Sequence, residues 1–388
     1  MMKIQTLNEI SSVIHEYLPP AKFQVSKELA APDALLVRSA DVHSRELNPE
    51  LRAIARAGAG VNNIPIDKCS ELGIVVFNTP GANANAVKEL VLTALLLSSR
   101  RVVQGIEWVR TLKGQGAEVP KLVEKGKSQF VGPEVKGKTL GVIGLGAIGA
   151  MVANEAHDIG MEVMGFDPYM SIQSAWRLSR AVKQAASLDD LLAHSDYITI
   201  HVPQTEETKG YLNRLTFSKM KKGVRLLNFS RGGLVNDHDL AEALENGTVS
   251  TYVTDFPNDD LLGMENVICI PHLGASTPES EDNCAEMAAK QLHDFLINGN
   301  IVNSVNFPHC ELPRSAAFRL AICHRNVPSM VGQITSLIAE KHINISDMIN
   351  KSRKGIAYTL VDLDAQPGED VLDSLHAIPD ILRVTVLG

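Results

Sequence analysis

The run Thr139-Leu-Gly-Val-Ile-Gly-Leu-Gly-Ala-Ile-Gly149 restricts this chain to few folds. It sets Gly144-x-Gly146-x-x-Gly149 directly after an apolar strand pattern and at the start of a helical pattern that Gly160 closes. A second strand pattern, Met161 to Phe166, ends in Asp167, 23 residues beyond Gly144. Gly144 permits the tight turn, Gly146 lets a ligand approach the backbone, and Gly149 lets helix and strand pack closely. The amides at the helix start, Ala147 and Ile148 among them, and the positive end of the helix dipole suit a pyrophosphate. Asp167 can accept hydrogen bonds from a ribose diol and would repel a 2′-phosphate. With strand, helix and acid in register, the segment predicts a dinucleotide site that prefers NAD.

The chain has 388 residues, enough for two or three domains. Its formal net charge of −8 argues against nucleic-acid or anionic-membrane partners. No apolar run reaches membrane-spanning length, and the first residues lack a signal-peptide core. Cys69, Cys269, Cys284, Cys310 and Cys323 are scattered without a CxxC pair, which reads as free thiols. A cytoplasmic protein with no metal site is expected.

The order of elements predicts the fold class. Ala34–Arg38 and Ile74–Phe77 read as buried strands of a first α/β unit, and a helix follows from about Asn85 to Arg100. Past the glycine run, strands are predicted at Tyr197–Val202, Val224–Phe229, Thr251–Thr254 and Val267–Ile270. Helices separate most of them. One starts at Ser187-Leu-Asp-Asp190, another is capped by Asn236, and a third opens at Thr277-Pro278 and stops before Gly299. Alternating strands and helices imply a Rossmann-type, doubly wound parallel sheet inserted in a flavodoxin-like α/β unit. Residues 305–315, with Pro308 and Pro313, read as a linker. The last seventy or so residues follow a βαββαβ order, typical of a ferredoxin-like sheet. The expected domains are 1–97 with 290–306, 98–289, and 307–388.

Three constellations fall just after predicted strands, where α/β sheets bind ligands. In Asn228-Phe-Ser230-Arg231-Gly-Gly233 the arginine offers a planar pair of donors to a carboxylate. A turn arginine in a surface salt bridge is the competing reading. Thr254-Asp255-Phe-Pro-Asn-Asp259-Asp260 carries three carboxylates, or is a solvated acidic loop. Ile270-Pro271-His272-Leu-Gly274 places a histidine before a helix, where a structural role competes with a proton-carrying one. Together they suit hydride transfer between a nicotinamide and a 2-hydroxy acid. The imidazole would move the hydroxyl proton, a carboxylate would fix its tautomer, and the guanidinium would hold the substrate carboxylate.

These motifs, with Arg38-Ser39, Arg56-Ala-Gly-Ala-Gly60-Val-Asn-Asn63 and Asn78-Thr-Pro-Gly81, closely resemble the D-isomer-specific 2-hydroxyacid dehydrogenases over nearly the whole chain. The resemblance implies NAD-dependent oxidation of a phosphorylated 2-hydroxy acid, 3-phospho-D-glycerate, at C2, the entry to serine synthesis. It assigns Arg231 to the substrate carboxyl and keto groups and His272 to general acid/base work. It gives the loop Ala57 to Val61, hence Gly58, Ala59 and Gly60, to the substrate carboxylate. Gly144, Gly146, Ala147, Ile148, Gly149, Asp167, His201, Pro203, Ser230 and Asp255 fall to the cofactor, with Asp255 on the nicotinamide amide. Arg38, Ser39 and Arg56 lie near the phosphate, and Lys127 stands where relatives carry a basic residue. The family's glutamate partner of the histidine is missing. Counting from Phe256-Pro257 selects Asp259, whereas counting from Arg231 without a gap selects Asp260, and Asp259 is preferred. The family also usually has aspartate where Asn62 stands.

The C-terminal unit resembles an ACT domain, a module that binds amino acids between paired copies. His324, Asn326 and Asn344 match positions that bind L-serine in serine-inhibited relatives, and a homodimer or homotetramer is implied. A module used only for dimerisation is the alternative. Two other functions fit the same motifs: a reductase for an unphosphorylated D-2-hydroxy acid such as glyoxylate or hydroxypyruvate, and an NAD-sensing binding protein on the same scaffold.

Overall fold

The structure is a computed structural model that describes residues 1–388, apart from the side chain of Gln173. Two compact units emerge: Met1–Asn83 with Pro278–Gly388, and Ala84–Thr277. The divides fall at the starts of the helices Ala84–Arg100 and Pro278–Asn298. The expected boundaries at 97/98 and 289/290 lie inside those helices, which belong whole to the unit whose core they complete.

The strands, in chain order, are β1 (Met2–Thr6), β2 (Phe23–Ser26), β3 (Ala34–Val37), β4 (Ala53–Arg56), β5 (Val75–Phe77), β6 (Thr139–Ile143), β7 (Glu162–Phe166), β8 (Lys183–Gln184), β9 (Tyr197–Ile200), β10 (Val224–Asn228), β11 (Val249–Thr254), β12 (Val267–Cys269), β13 (Phe318–Arg325), β14 (Ile345–Arg353), β15 (Ile356–Leu363) and β16 (Ile381–Leu387). In the unit Ala84–Thr277 they form a parallel sheet of order β12-β11-β10-β9-β6-β7-β8. Two cores cover its faces. One holds Val142, Val152, Ala153, Tyr197 and Val253, the other Ile198, Ile200, Leu226, Leu240 and Tyr252. Burial on both faces explains why these strands read as near-continuous apolar runs. The strand order reverses between β6 and β9, the switch point at which such sheets bind ligands.

The other unit contains a parallel sheet of order β2-β1-β3-β4-β5, the flavodoxin-like arrangement, and an antiparallel sheet of order β14-β15-β13-β16. One face of the antiparallel sheet packs Leu320, Ile322, Val361 and Leu363 against the helices Met330–Glu340 and Glu369–His376. The opposite face is also buried. Ala321, Cys323, Tyr358, Leu360 and Leu387 share one core with Phe77, Leu292, Phe295 and Leu296. The expected linker is therefore no spacer. Phe307 and Cys310 are fully buried in that shared core, Leu312 nearly so, and Ile301 bridges Cys310. Its apolar side chains outweigh its prolines.

Among the described residues, no helix is long and apolar enough to cross a membrane. All five cysteines are free, four of them buried.

Candidate active site

The glycine loop is shaped as its sequence requires. Gly144 has φ of +88°, and a Cβ there would lie 2.7 Å from the carbonyl oxygen of His201. A Cβ on Gly149 would stand 1.9 Å from the Gly144 carbonyl oxygen. Gly146, at the N-cap of helix Ala147–Asp158, faces open space, with nothing within 4 Å of its Cβ position. The first amides of that helix have no intrahelical acceptors, so the loop leaves both room and donors for a pyrophosphate. Asp167 is tied to the same loop: its carboxylate accepts from the Leu145 amide at 2.8 Å and the Tyr169 amide at 2.9 Å. Each oxygen keeps lone-pair capacity for a diol. The donor set therefore fits a dinucleotide.

His201 follows β9. Its Nε2 meets Thr199 Oγ1 at 2.9 Å, its Nδ1 is buried without a hydrogen-bond partner, and burial pushes its pKa down to about 4. The Ser230 hydroxyl donates to the Ile200 carbonyl at 2.7 Å, which ties the loop after β10 to β9. Pro203 accepts from Thr208 Oγ1 through its carbonyl at 2.7 Å.

Arg231 stands in an exposed turn. The fully buried Asn228 builds that turn, donating to the Arg231 carbonyl at 2.9 Å and accepting from the Ser230 amide at 3.2 Å. This supporting role was not drawn from the sequence. The visible signal is a polar residue closing an otherwise apolar strand. Among the described residues the guanidinium hydrogen-bonds the Ser230 carbonyl alone, at 2.6 Å, so most of its donors are unused there.

Asp255, just past β11, is 1% exposed. One carboxylate oxygen accepts from the Gly274 amide at 3.3 Å, and the other is buried without a hydrogen-bond partner. Burial raises its pKa, against the lowering influence of His272 and Arg231. The structure thus brings His272 and Arg231 within electrostatic reach of Asp255. Asp259 and Asp260 are arranged differently. Both lie exposed in the first turn of the short helix Asp259–Leu262, which Asn258 caps. Among the described residues no carboxylate oxygen lies within 4.0 Å of a His272 ring nitrogen. The ring instead packs on Phe256, centroid to centroid at 4.7 Å. Lys127 is exposed and paired to Glu124.

In the other unit, Asn8 gathers the loop after β3. Its side-chain oxygen accepts from the amides of Arg38, Ser39 and Ala40, each at 3.0 Å. Arg56 acts on backbone: Nε donates to the Arg38 carbonyl at 3.0 Å, and a second nitrogen donates to the Gly60 carbonyl. The amides of Ala57 and Gly58 are already committed, to Val37 and Arg56 carbonyls at 2.8 and 2.9 Å. Asn78 holds the Ala59 carbonyl at 2.6 Å. Arg38 is half-exposed and ion-paired to Glu281 at 2.7 Å.

His324, 2% exposed in β13, has both ring nitrogens engaged, by the Arg325 carbonyl at 2.8 Å and by Thr359 Oγ1 at 2.9 Å. Asn326 donates to the Lys354 carbonyl at 3.2 Å. Asn344 pairs with Asp364 through its backbone.

Comparison with known proteins shows the family. Residues 92–274 match the model of the D-isomer specific 2-hydroxyacid dehydrogenase NAD-binding domain. The D-3-phosphoglycerate dehydrogenase of Haemophilus influenzae is 32% identical over 354 residues, covering 88% of this chain and 82% of that protein. The D-3-phosphoglycerate dehydrogenase of Bacillus subtilis is 36% identical over 290 residues, 72% of this chain but 53% of that protein. The chain thus spans about half the length of some relatives and most of others. The NAD+-bound 3-phosphoglycerate dehydrogenase of Entamoeba histolytica superposes with a TM-score of 0.60 at 26% identity, over 79% of this chain and 98% of that one. The chain belongs to the D-isomer specific 2-hydroxyacid dehydrogenase family and carries its NAD-binding domain.

Proposed function

We propose that this chain is an NAD-dependent D-3-phosphoglycerate dehydrogenase, oxidising 3-phospho-D-glycerate at C2 to 3-phosphohydroxypyruvate. The observation that carries this is the gathering of Arg231, Asp255 and His272 beyond the ends of the adjacent strands β10, β11 and β12. Bound NAD supplies the hydride acceptor. His272 takes the proton of the C2 hydroxyl, and the free guanidinium edge of Arg231 holds the substrate carboxylate and the forming carbonyl. The unpartnered oxygen of Asp255 offers an acceptor to the cofactor's amide. Taken by itself, the other unit offers Arg38 with Ser39 as a group suited to an anion, and Arg56 holds the loop from Ala57 to Val61 in shape.

His272→Ala is expected to cut turnover on 3-phosphoglycerate about a hundredfold or more while NADH affinity holds. NADH absorbance and fluorescence titration read the two quantities, and unchanged turnover removes His272 from the chemistry. One observation favours a second reading, a reductase for an unphosphorylated 2-hydroxy acid: Glu281 neutralises Arg38. Higher kcat/KM on hydroxypyruvate than on the phosphorylated substrate would establish it.

The assembly proposed is a homo-oligomer paired through the NAD-binding unit. Helix Val102–Thr111 buries no residue, and Val102, Ile106 and Val109 are exposed along it. The C-terminal module is proposed to take L-serine at His324, Asn326 and Asn344. Saturating serine should raise the melting temperature, since a ligand of the folded state stabilises it.

A further inference from the structure

We propose that Phe256 is the positioning residue for His272, an aromatic wall that holds the imidazole in its working orientation and ties it to the turn bearing Arg231. The inference rests on the reading of His272 as proton carrier. His272 sits in an exposed loop between Pro271 and Leu273, both exposed themselves. Among the described residues it makes no ion pair within 4.0 Å, so no carboxylate fixes its ring. What it does have is the Phe256 ring, with centroids 4.7 Å apart and planes inclined at 48°. That geometry is in the range where aromatic pairs attract beyond simple burial.

Phe256 is itself held on several sides. Its amide donates to Thr254 Oγ1 at 3.1 Å, at the buried end of β11. Asp255, its neighbour, is bonded to the Gly274 amide two residues beyond His272. On the other flank lies Gly232, directly after Arg231. A Cβ there would stand 3.3 Å from the Phe256 Cβ, so the arginine turn passes close beside the phenylalanine stem with no room for a side chain between them. One residue therefore lies beside the turn that carries the guanidinium and against the ring that moves the proton. The charged groups around it are Asp255 at the end of β11, Arg231 beyond β10, Asp259 and Asp260 in the following turn, and Asp237, which accepts from Asn258.

The test uses the full chain with Phe256→Leu, Phe256→Tyr and His272→Gln. It measures kcat, KM for 3-phosphoglycerate, NADH affinity by fluorescence and the melting temperature. Phe256→Leu keeps apolar bulk but loses the ring. It is expected to lower kcat about ten- to a hundredfold, the scale of a small misplacement of a catalytic group, with NADH affinity and melting temperature near wild type. Phe256→Tyr is expected to restore most of the loss. Wild-type kcat in Phe256→Leu overturns the proposal. So does a loss that Phe256→Tyr shares in full, or one accompanied by equal losses of NADH affinity and melting temperature. If His272→Gln itself turns over at the wild-type rate, the proton-carrier reading fails and takes this inference with it. A dead His272→Gln beside an active Phe256→Leu sinks only the role of Phe256.

Discussion

The residues most legible in the sequence were those whose chemistry is visible in their letters. Gly144 and Asp167 directly follow strands, Gly146 and Gly149 open the helix between them, and Arg231 and His272 lie a few residues past strand ends, at places their spacing implied. The orientation of His272 was not legible. Its neighbour is a phenylalanine, a type that carries no chemical flag, and the contact crosses two loops whose path no local pattern dictates. His201 makes a further case at this scale. Its pKa is pushed down to about 4 by burial. The fold disfavours the charged ring, so the unfolded chain takes up the proton first. The associated stability is fully present above about pH 6.5 and is lost as the pH falls towards about 4, on the order of 3 kcal/mol at the limit. His201→Asn keeps a polar group near Thr199 but cannot titrate. Urea midpoints measured between pH 7 and 4 should fall more steeply for the wild type than for His201→Asn. Parallel falls would show that another group carries the acid sensitivity.

Elements were legible where bulky apolar residues run together. The strands β6, β9 and β10 and the helix Pro278–Asn298 lie within a few residues of their expected places. Met2–Thr6, Phe23–Ser26 and Ala53–Arg56 were not foreseen as strands, because polar or small residues interrupt them and their partners lie far away in sequence. The glycine loop shows how one motif mixes two constraints. A methyl on Gly149 would strike the Gly144 carbonyl at 1.9 Å, whereas one on Gly146 meets nothing within 4 Å. Gly146 also has φ of −68°, a value alanine adopts freely. Gly149→Ala should therefore destabilise the unit by about 1–3 kcal/mol, the usual cost of overpacking. Gly146→Ala should melt near or slightly above wild type, yet bind NADH at least about tenfold more weakly, because its methyl occupies the space left for the pyrophosphate. Calorimetry and NADH fluorescence separate the two. If both variants lose stability together, the open space at Gly146 is not what the loop keeps it for.

At the scale of the molecule, the C-terminal module is no appendage. Its order of elements was readable, but its docking was not, because Pro308 and Pro313 look like punctuation while Phe307, Cys310 and Leu312 between and beside them are buried. The attachment centres on Arg319 and Asp362, both fully buried and paired at 2.5 and 2.9 Å. Arg319 also donates to the carbonyls of Asn298 and Leu312, each at 2.9 Å, and of Pro313 at 3.2 Å. Asp362 accepts from the amide and hydroxyl of Ser315 at 2.7 and 2.9 Å. Burial alone would raise the Asp362 pKa, but the bonds from Arg319 and Ser315 hold it below the usual range. One guanidinium thus fastens the antiparallel sheet to the last turn of helix Pro278–Asn298, where a cation is favoured by the helix dipole. Two more donors reach neighbouring carbonyls: Tyr358 to Gly299 at 2.7 Å and Arg314 to Ile297 at 3.4 Å. Removing one member of such a pair costs more than the pair contributes, because the survivor stays buried and charged. Arg319→Met should lose about 3–5 kcal/mol in urea unfolding, and Asp362→Leu a similar amount. The double variant should lose clearly less than the sum, since no unpaired charge remains in the core. If the two losses simply add, the clamp is two independent anchors, and Arg319 works mainly through the carbonyls of Asn298, Leu312 and Pro313.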